Sequence, residues 1–121
     1  MKLLFVQDQP ILLSALKMTL ASKGFDMVVC NGVLNPNSVI AAVNPDIVIA
    51  DISKRSGLKY VEEAKSKNLP VMVLSSFGNE EYLQIAFDKG ADDYISLPLS
   101  HTELALRLSI LTRSKKIKQA A

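Results

Sequence analysis

The run Ile47-Val48-Ile49-Ala50, opened by Pro45-Asp46 and closed by Asp51, constrains the fold more than any other stretch of the chain. Four apolar residues without alternation describe a strand buried on both faces, the pattern found inside parallel sheets. Such a strand needs neighbours of its own kind. Leu3 to Val6 and Val71 to Leu74 are equally unbroken, and two shorter runs, Met27 to Cys30 and Asp93 to Ser96, complete a set of five. Asp26 opens the first of the short runs and places it nearer an edge.

Helical spacing fills every gap between them. Pro10 suits a first helical turn, followed by Ile11, Leu12, Ala15, Leu16, Thr19 and Leu20 on one face, with Gly24 at the C′ position. Asn35-Pro36 reads as N-cap and first residue of a short helix through Val43. After a loop, Ser53 to Gly57, the residues Leu58, Val61 and Ala64 mark a third helix ending near Asn68. Asn79 with Glu80 and Glu81 starts a fourth, with Leu83, Ala86 and Phe87 inward and Gly90 closing it. Ser100 and Glu103 form a capping box for the last, whose stripe is Leu104, Leu108 and Leu111. Five strands alternating with five helices imply an α/β fold: a parallel sheet with right-handed crossovers and helices on both faces.

At 121 residues the chain is one domain with room for one proper core. Its 14 basic and 12 acidic side chains leave a net charge of +2, too little to indicate nucleic acid or an anionic membrane as partner. Much of the surplus lies in Arg113, Lys115, Lys116 and Lys118, so the domain is expected over 1–112, with 113–121 a basic tail or the start of a linker. A lone cysteine, Cys30, cannot form an internal disulfide and reads as a buried small hydrophobe. The apolar opening stops at Gln7-Asp8, short of a signal peptide, and no run approaches the ~20 apolar residues of a membrane span. The expected location is the cytoplasm.

Three apolar runs end in polar side chains: Asp8 after the first, Asp51 after the third and Ser75 after the fourth. In a parallel sheet all three meet at the carboxyl edge, where open α/β sheets bind their ligands, and Tyr94 lies close behind. Two carboxylates and a hydroxyl there suit a hard divalent cation. Acids also end strands simply because strands end at the surface. That explains any one of these residues better than it explains their convergence. His101, the only histidine, reads as solvated, and zinc has little support.

With these residues in view, nearly the whole chain resembles the receiver domain of two-component response regulators. The resemblance rests on Leu3-Leu4-Phe5-Val6-Gln7-Asp8-Gln9-Pro10, on Pro45 to Asp51, on Pro70-Val71-Met72-Val73-Leu74-Ser75-Ser76, and most specifically on Gly90-Ala91-Asp92-Asp93-Tyr94-Ile95-Ser96-Leu97-Pro98. It implies a flavodoxin-like (βα)5 sheet of order 2-1-3-4-5. It also implies that Asp51 accepts a phosphoryl group from a histidine kinase or phosphotransfer protein. Asp8 and the Ser53 carbonyl would then be Mg²⁺ ligands together with Asp51, Ser75 the switch hydroxyl and Tyr94 the switch aromatic. A cis Leu97-Pro98 bond is expected with it. The partners implied are that kinase, an output domain or effector protein, and a second copy bound through the fourth helix, fifth strand and fifth helix. Asp92, Asp93, Glu103 and Arg107 match positions that often pair across such dimers, whereas Leu83 stands where a basic partner is common.

The chain departs from the family at three places. Gln7 replaces one of two acids, keeping an oxygen ligand, direct or through water, but removing a charge, so Mg²⁺ should bind weakly. Leu97 replaces the lysine that pairs with the phosphoryl oxygens and offers neither charge nor donor. The loop after Asp51 is about two residues short. Two readings stay open: a conventional receiver in which Lys54 or Arg55 replaces the lysine, unless both are merely solvated, or a degenerate receiver that uses its surface without efficient phosphorylation. The sequence favours an atypical receiver with phosphorylation impaired or dispensable. A flavodoxin-like enzyme or nucleotide-binding module lacks the glycine-rich phosphate loop and a histidine-paired nucleophile.

Overall fold

The computed structural model describes residues 1–7, 13–76 and 78–120, with side chains through residue 113. Its elements run β1 (Lys2–Val6), α1 (Leu13–Ala21), β2 (Asp26–Cys30), α2 (Pro36–Val43), β3 (Ile47–Asp51), α3 (Arg55–Ser66), β4 (Val71–Ser75), α4 (Glu80–Asp88), β5 (Asp93–Ser96) and α5 (His101–Ala120). All pairings are parallel and the strand order is β2-β1-β3-β4-β5. The expected α/β sheet of order 2-1-3-4-5 is therefore present, with β3 in its centre.

Alternate residues of the buried strands feed two cores. Leu3, Phe5, Ile47, Ile49, Met72 and Leu74 pack against Leu13, Leu16 and Leu20 of α1 and Leu104 and Leu108 of α5. Leu4, Val48, Ala50, Val71 and Val73 pack against Ile40 of α2, Leu58, Tyr60, Val61 and Ala64 of α3 and Ala86 of α4. Both faces are covered, which is why these strands carry no polar alternation. Among the described residues no helix is long and apolar enough to cross a membrane.

Local signals behave as their chemistry requires. Asn35 caps α2 by accepting from the Ser38 N–H, Pro36 opens the helix, and Asn44 closes it in the left-handed region at φ 51°. Gly24 carries the reversal after α1 at φ +88°, where the Phe25 N–H reaches back to the Leu20 carbonyl.

Several expectations are corrected. The described inner face of α1 is Leu13, Leu16 and Leu20, with Ala15 exposed; Pro10, Ile11 and Leu12 lie outside the described residues. Helix α3 starts at Arg55, so Arg55 to Gly57 are its first turn and not loop. Helix α4 does start after Asn79, with Glu80 and Glu81 in its first turn, although the Asn79 amide donates to the Ile52 carbonyl at 2.8 Å and its side chain does not cap the helix. Phe87 is 39% exposed because α4 covers the sheet with Ala86, leaving Phe87 on its flank. Only half of the capping box forms: the Glu103 N–H donates to Ser100 Oγ, while the Glu103 carboxylate accepts from Arg107 Nε. Cys30 is half-buried, its sulfur 3.7 Å from the Tyr60 hydroxyl.

Candidate functional site

At the carboxyl edge of the sheet a cavity of about 460 Å³ opens between the ends of β1, β3 and β4 and the β5–α5 turn. Asp51, the last residue of β3, lies in its wall with Gln7, Ser53 and Ser76; Val6, Leu13, Leu97, Pro98 and Leu99 make much of the rest. Asp51 arrives there because the buried run of β3 ends at the sheet edge, leaving its side chain half-buried. The loop that follows is tight. Ile52 stays in the second core, its N–H held by the Leu74 carbonyl at 3.0 Å, and α3 begins three residues later at Arg55. This turn is possible because residue 57 is glycine: a Cβ there would lie 2.1 Å from the Asp51 carbonyl oxygen.

The Asp51 carboxylate is held by three donors. Oδ1 accepts from the Ser53 N–H at 2.9 Å and from Ser53 Oγ at 2.5 Å. Oδ2 accepts from Gln7 Nε2 at 3.1 Å. Ser53 Oγ also lies 3.3 Å from Ser76 Oγ.

The remaining expected residues separate into two groups. Leu97 lines the cavity and packs on the first core, and its bond to Pro98 is cis. Ser75 shares the sheet edge but is 5% exposed, and its hydroxyl is 3.4 Å from the Ser76 carbonyl. The register pairs Val73 with Tyr94 and Ser75 with Ser96, which puts Ser75 and Tyr94 on the sheet face that α4 covers. Tyr94 is 40% exposed and meets Phe87 edge-on, ring centroids 5.9 Å apart. Asp8 lies outside the described residues. Lys54 lines the cavity, whereas Arg55 lines a separate groove between α3 and α4 with Glu81 and Tyr82. His101 also lines the cavity.

Sequence reasoning missed the hydroxyls of Ser53 and Ser76 and the direction of the Gln7 amide. The Ser53 contact carries a local signal, since Asp-x-Ser after a strand end favours a turn in which the carboxylate accepts from the residue two ahead. The Gln7–Asp51 contact joins residues 44 apart and has none.

The described donors do not form a Mg²⁺ site as they stand. Asp51 is the one carboxylate among the described residues of the cavity wall, and one of its oxygens is occupied by an amide N–H. A hard cation selects oxygen ligands, and its affinity follows their charge.

The charged residues at the start of β5 are paired within the chain. Arg107 Nη1 donates to both Asp93 oxygens at 3.1 Å and Nε to Glu103 at 3.1 Å. Asp92 accepts from the Val71 N–H at 2.8 Å and from Lys65 Nζ at 3.0 Å.

The comparisons agree with this geometry. The family model for the response regulator receiver domain matches residues 3–109. A probable transcriptional regulatory protein of Mycobacterium tuberculosis, TcrX, is 32% identical over 117 residues, which are 91% of this chain and 49% of that protein. The phosphate regulon transcriptional regulatory protein PhoB of Klebsiella pneumoniae is 29% identical over 121 residues, 93% of this chain and 52% of its own. The chain thus spans about half the length of these curated relatives. NtrX from Brucella abortus, solved in complex with ADP, superposes with a TM-score of 0.81 at 27% identity, covering 98% of this chain and 28% of that one. The signal receiver domain of a LuxO repressor protein of Vibrio parahaemolyticus has the same fold, with a TM-score of 0.84 at 18% identity over 98% and 95% of the two chains. With the sheet order, the strand-end carboxylate and the match over residues 3–109 in agreement, the chain belongs to the response regulator receiver domain family.

Proposed function

We propose that this chain is an atypical receiver in which Asp51 takes a phosphoryl group from the phosphohistidine of a sensor kinase or phosphotransfer protein. The observation that carries the reading is the placement of the Asp51 carboxylate in the cavity wall, aimed by Ser53 and Gln7. One Asp51 oxygen bonds to phosphorus as the P–N bond breaks, and the imidazole leaves with the electron pair and takes up a proton. The chain's own groups must orient the donor and offset the repulsion between carboxylate and phosphoryl charge. The Ser53 hydroxyl and N–H and the Ser76 hydroxyl are donors within reach of the new oxygens. Lys54, in the cavity wall, replaces in part the cation lost at Leu97; Arg55, facing the α3–α4 groove, does not. Divalent cation binding is weak, because Gln7 contributes no charge and occupies Asp51 Oδ2. The chain is thus a phosphoacceptor and signalling module, not an enzyme acting on a separate substrate.

The arrangement of Ser75 and Tyr94 fits the resting member of a two-state pair. Bonding of Ser75 to a phosphoryl oxygen would draw it from the Ser76 carbonyl and open space for Tyr94 to leave Phe87. The readout surface is the α4-β5-α5 face, where Phe87, Tyr94, Leu106 and Ile110 are exposed. It would engage an effector, an output domain or a second copy. Because Arg107, Asp93 and Glu103 are already paired, such a dimer would rest on the apolar residues unless those ion pairs exchange partners. Residues 1–112 act as the receiver, with 113–121 leading on from it.

A phosphorylation-independent module is the second reading, favoured by the apolar wall of Leu97 and Leu99. Intact mass after acetyl phosphate treatment, with and without Mg²⁺ and with Asp51→Asn as control, separates the two. A phosphate-sized adduct on wild type alone supports the acceptor role. No adduct, together with no spectral response to beryllofluoride, overturns it.

A further inference from the structure

We infer that the Gln7 side-chain amide holds the place of a cation at Asp51, so that the resting carboxylate is positioned without metal. Gln7 follows β1 directly, and its backbone N–H donates to the Cys30 carbonyl at 3.1 Å, which fixes where the side chain departs. From there Nε2 reaches Asp51 Oδ2 at 3.1 Å. An amide has a donor end and an acceptor end, and only the donor end is attracted to a carboxylate. Ser53 supplies two donors to the other oxygen. Both carboxylate oxygens are therefore bonded from within the chain, and the interaction that a bound cation would otherwise provide is already made.

A divalent cation entering this site must break the Gln7–Asp51 bond and then finds at residue 7 a neutral amide in place of one of the two acids the family carries there. Gln7 is thus a positioning residue that acts through Asp51 and makes the site indifferent to Mg²⁺ at rest. From the proposed function this takes only the identity of Asp51 as the reacting carboxylate. The test reads metal binding and stability, so it stands apart from whether phosphoryl transfer occurs.

The variant is Gln7→Glu, which has the same length but sets two carboxylates against each other. Mn²⁺, followed by electron paramagnetic resonance as a probe for this site, should bind Gln7→Glu at least about ten-fold more tightly than wild type, since ligand charge sets affinity. Without metal the variant should melt below wild type. At 10 mM, Mg²⁺ should raise its midpoint by roughly 3 °C or more while moving wild type by less than about 1 °C, following mass action on the folded state. Adding Asp51→Asn to Gln7→Glu should remove the metal response. Equal Mn²⁺ affinity in wild type and variant, or equal stabilisation of both by Mg²⁺, overturns the inference. If Gln7→Glu fails to fold, the wild-type amide settles the matter by ¹⁵N NMR. A Gln7 NH₂ pair that is protected without metal and shifts on Asp51→Asn supports the inference, whereas a solvent-like pair that ignores Asp51 overturns it.

Discussion

Gly57→Ala should destabilise this domain even though it places a better helix former in a helix. Alanine in a helix interior is ordinarily favoured over glycine by about 1 kcal/mol. At residue 57 the new Cβ would sit 2.1 Å from the Asp51 carbonyl oxygen, 2.9 Å from its carbonyl carbon and 3.2 Å from Ile52 Cα. All three are backbone atoms, so no flexible side chain can yield. Relief requires the first turn of α3 to move off the end of β3 by about 1 Å, which strains the Ile52 N–H bond to Leu74 and the buried Leu58 and Val61. Overpacking of this kind costs roughly 1–3 kcal/mol, and a weakened buried backbone bond adds about 1 more. After the propensity gain, the expected net loss is about 1–3 kcal/mol, or roughly 3–12 °C in melting temperature for a domain of this size. Thermal and urea unfolding followed by far-ultraviolet circular dichroism would measure it. Gly24→Ala is the comparison: nothing lies within 4 Å of its Cβ, so it bears only the strain of φ +88°, about 1–2 kcal/mol. A Gly57→Ala protein as stable as wild type, or more so, would refute the claim that the short loop depends on this close approach.

Two further outcomes test other parts of the structure. Tyr60 is fully buried, donates to the Leu34 carbonyl at 3.0 Å, and has its pKa raised, first by burial and then by Cys30. With the folded value above the unfolded one, its stabilisation is complete below about pH 10 and is lost as pH rises beyond it. Urea midpoints should therefore fall above that pH in wild type, and Tyr60→Phe should remove that component while costing about 1 kcal/mol at pH 7 by removing the hydrogen bond to the Leu34 carbonyl. Leu97→Lys should exchange some core packing for a cation in the Asp51 cavity. The phosphorylated fraction at fixed acetyl phosphate should then rise about ten-fold, as expected from one charge-assisted hydrogen bond, and intact mass reads it directly.

What was legible in the sequence, and what was not, follows from the range of each interaction. The strands were visible because a strand covered on both faces cannot hide its apolar run, and the Asn35-Pro36 and Gly24 signals were visible because caps act within a few residues. Phe87 satisfies the helical spacing of an inward residue yet lies outward, because spacing gives a face but not how far a neighbouring helix or sheet extends over it. Tyr60 shows the complementary limit: its ring completes the face of Leu58 and Val61, but its hydroxyl is tolerable there because Leu34, 26 residues away, offers a carbonyl. Gly57 reads as a loop former until the backbone it must approach is in view. The site shows the same division most sharply. That Asp51 would stand at the sheet edge follows from where β3 ends, and that Leu97 could not replace a lysine follows from its chemistry. Which end of Gln7 would face Asp51 depends on what else satisfies that carboxylate. An amide at this position is a poor metal ligand when read alone, but beside a carboxylate whose other oxygen is already held by Ser53 it becomes the third donor of a closed set. The same substitution thus weakens one interaction and supplies another, and only the geometry shows that both belong to one residue.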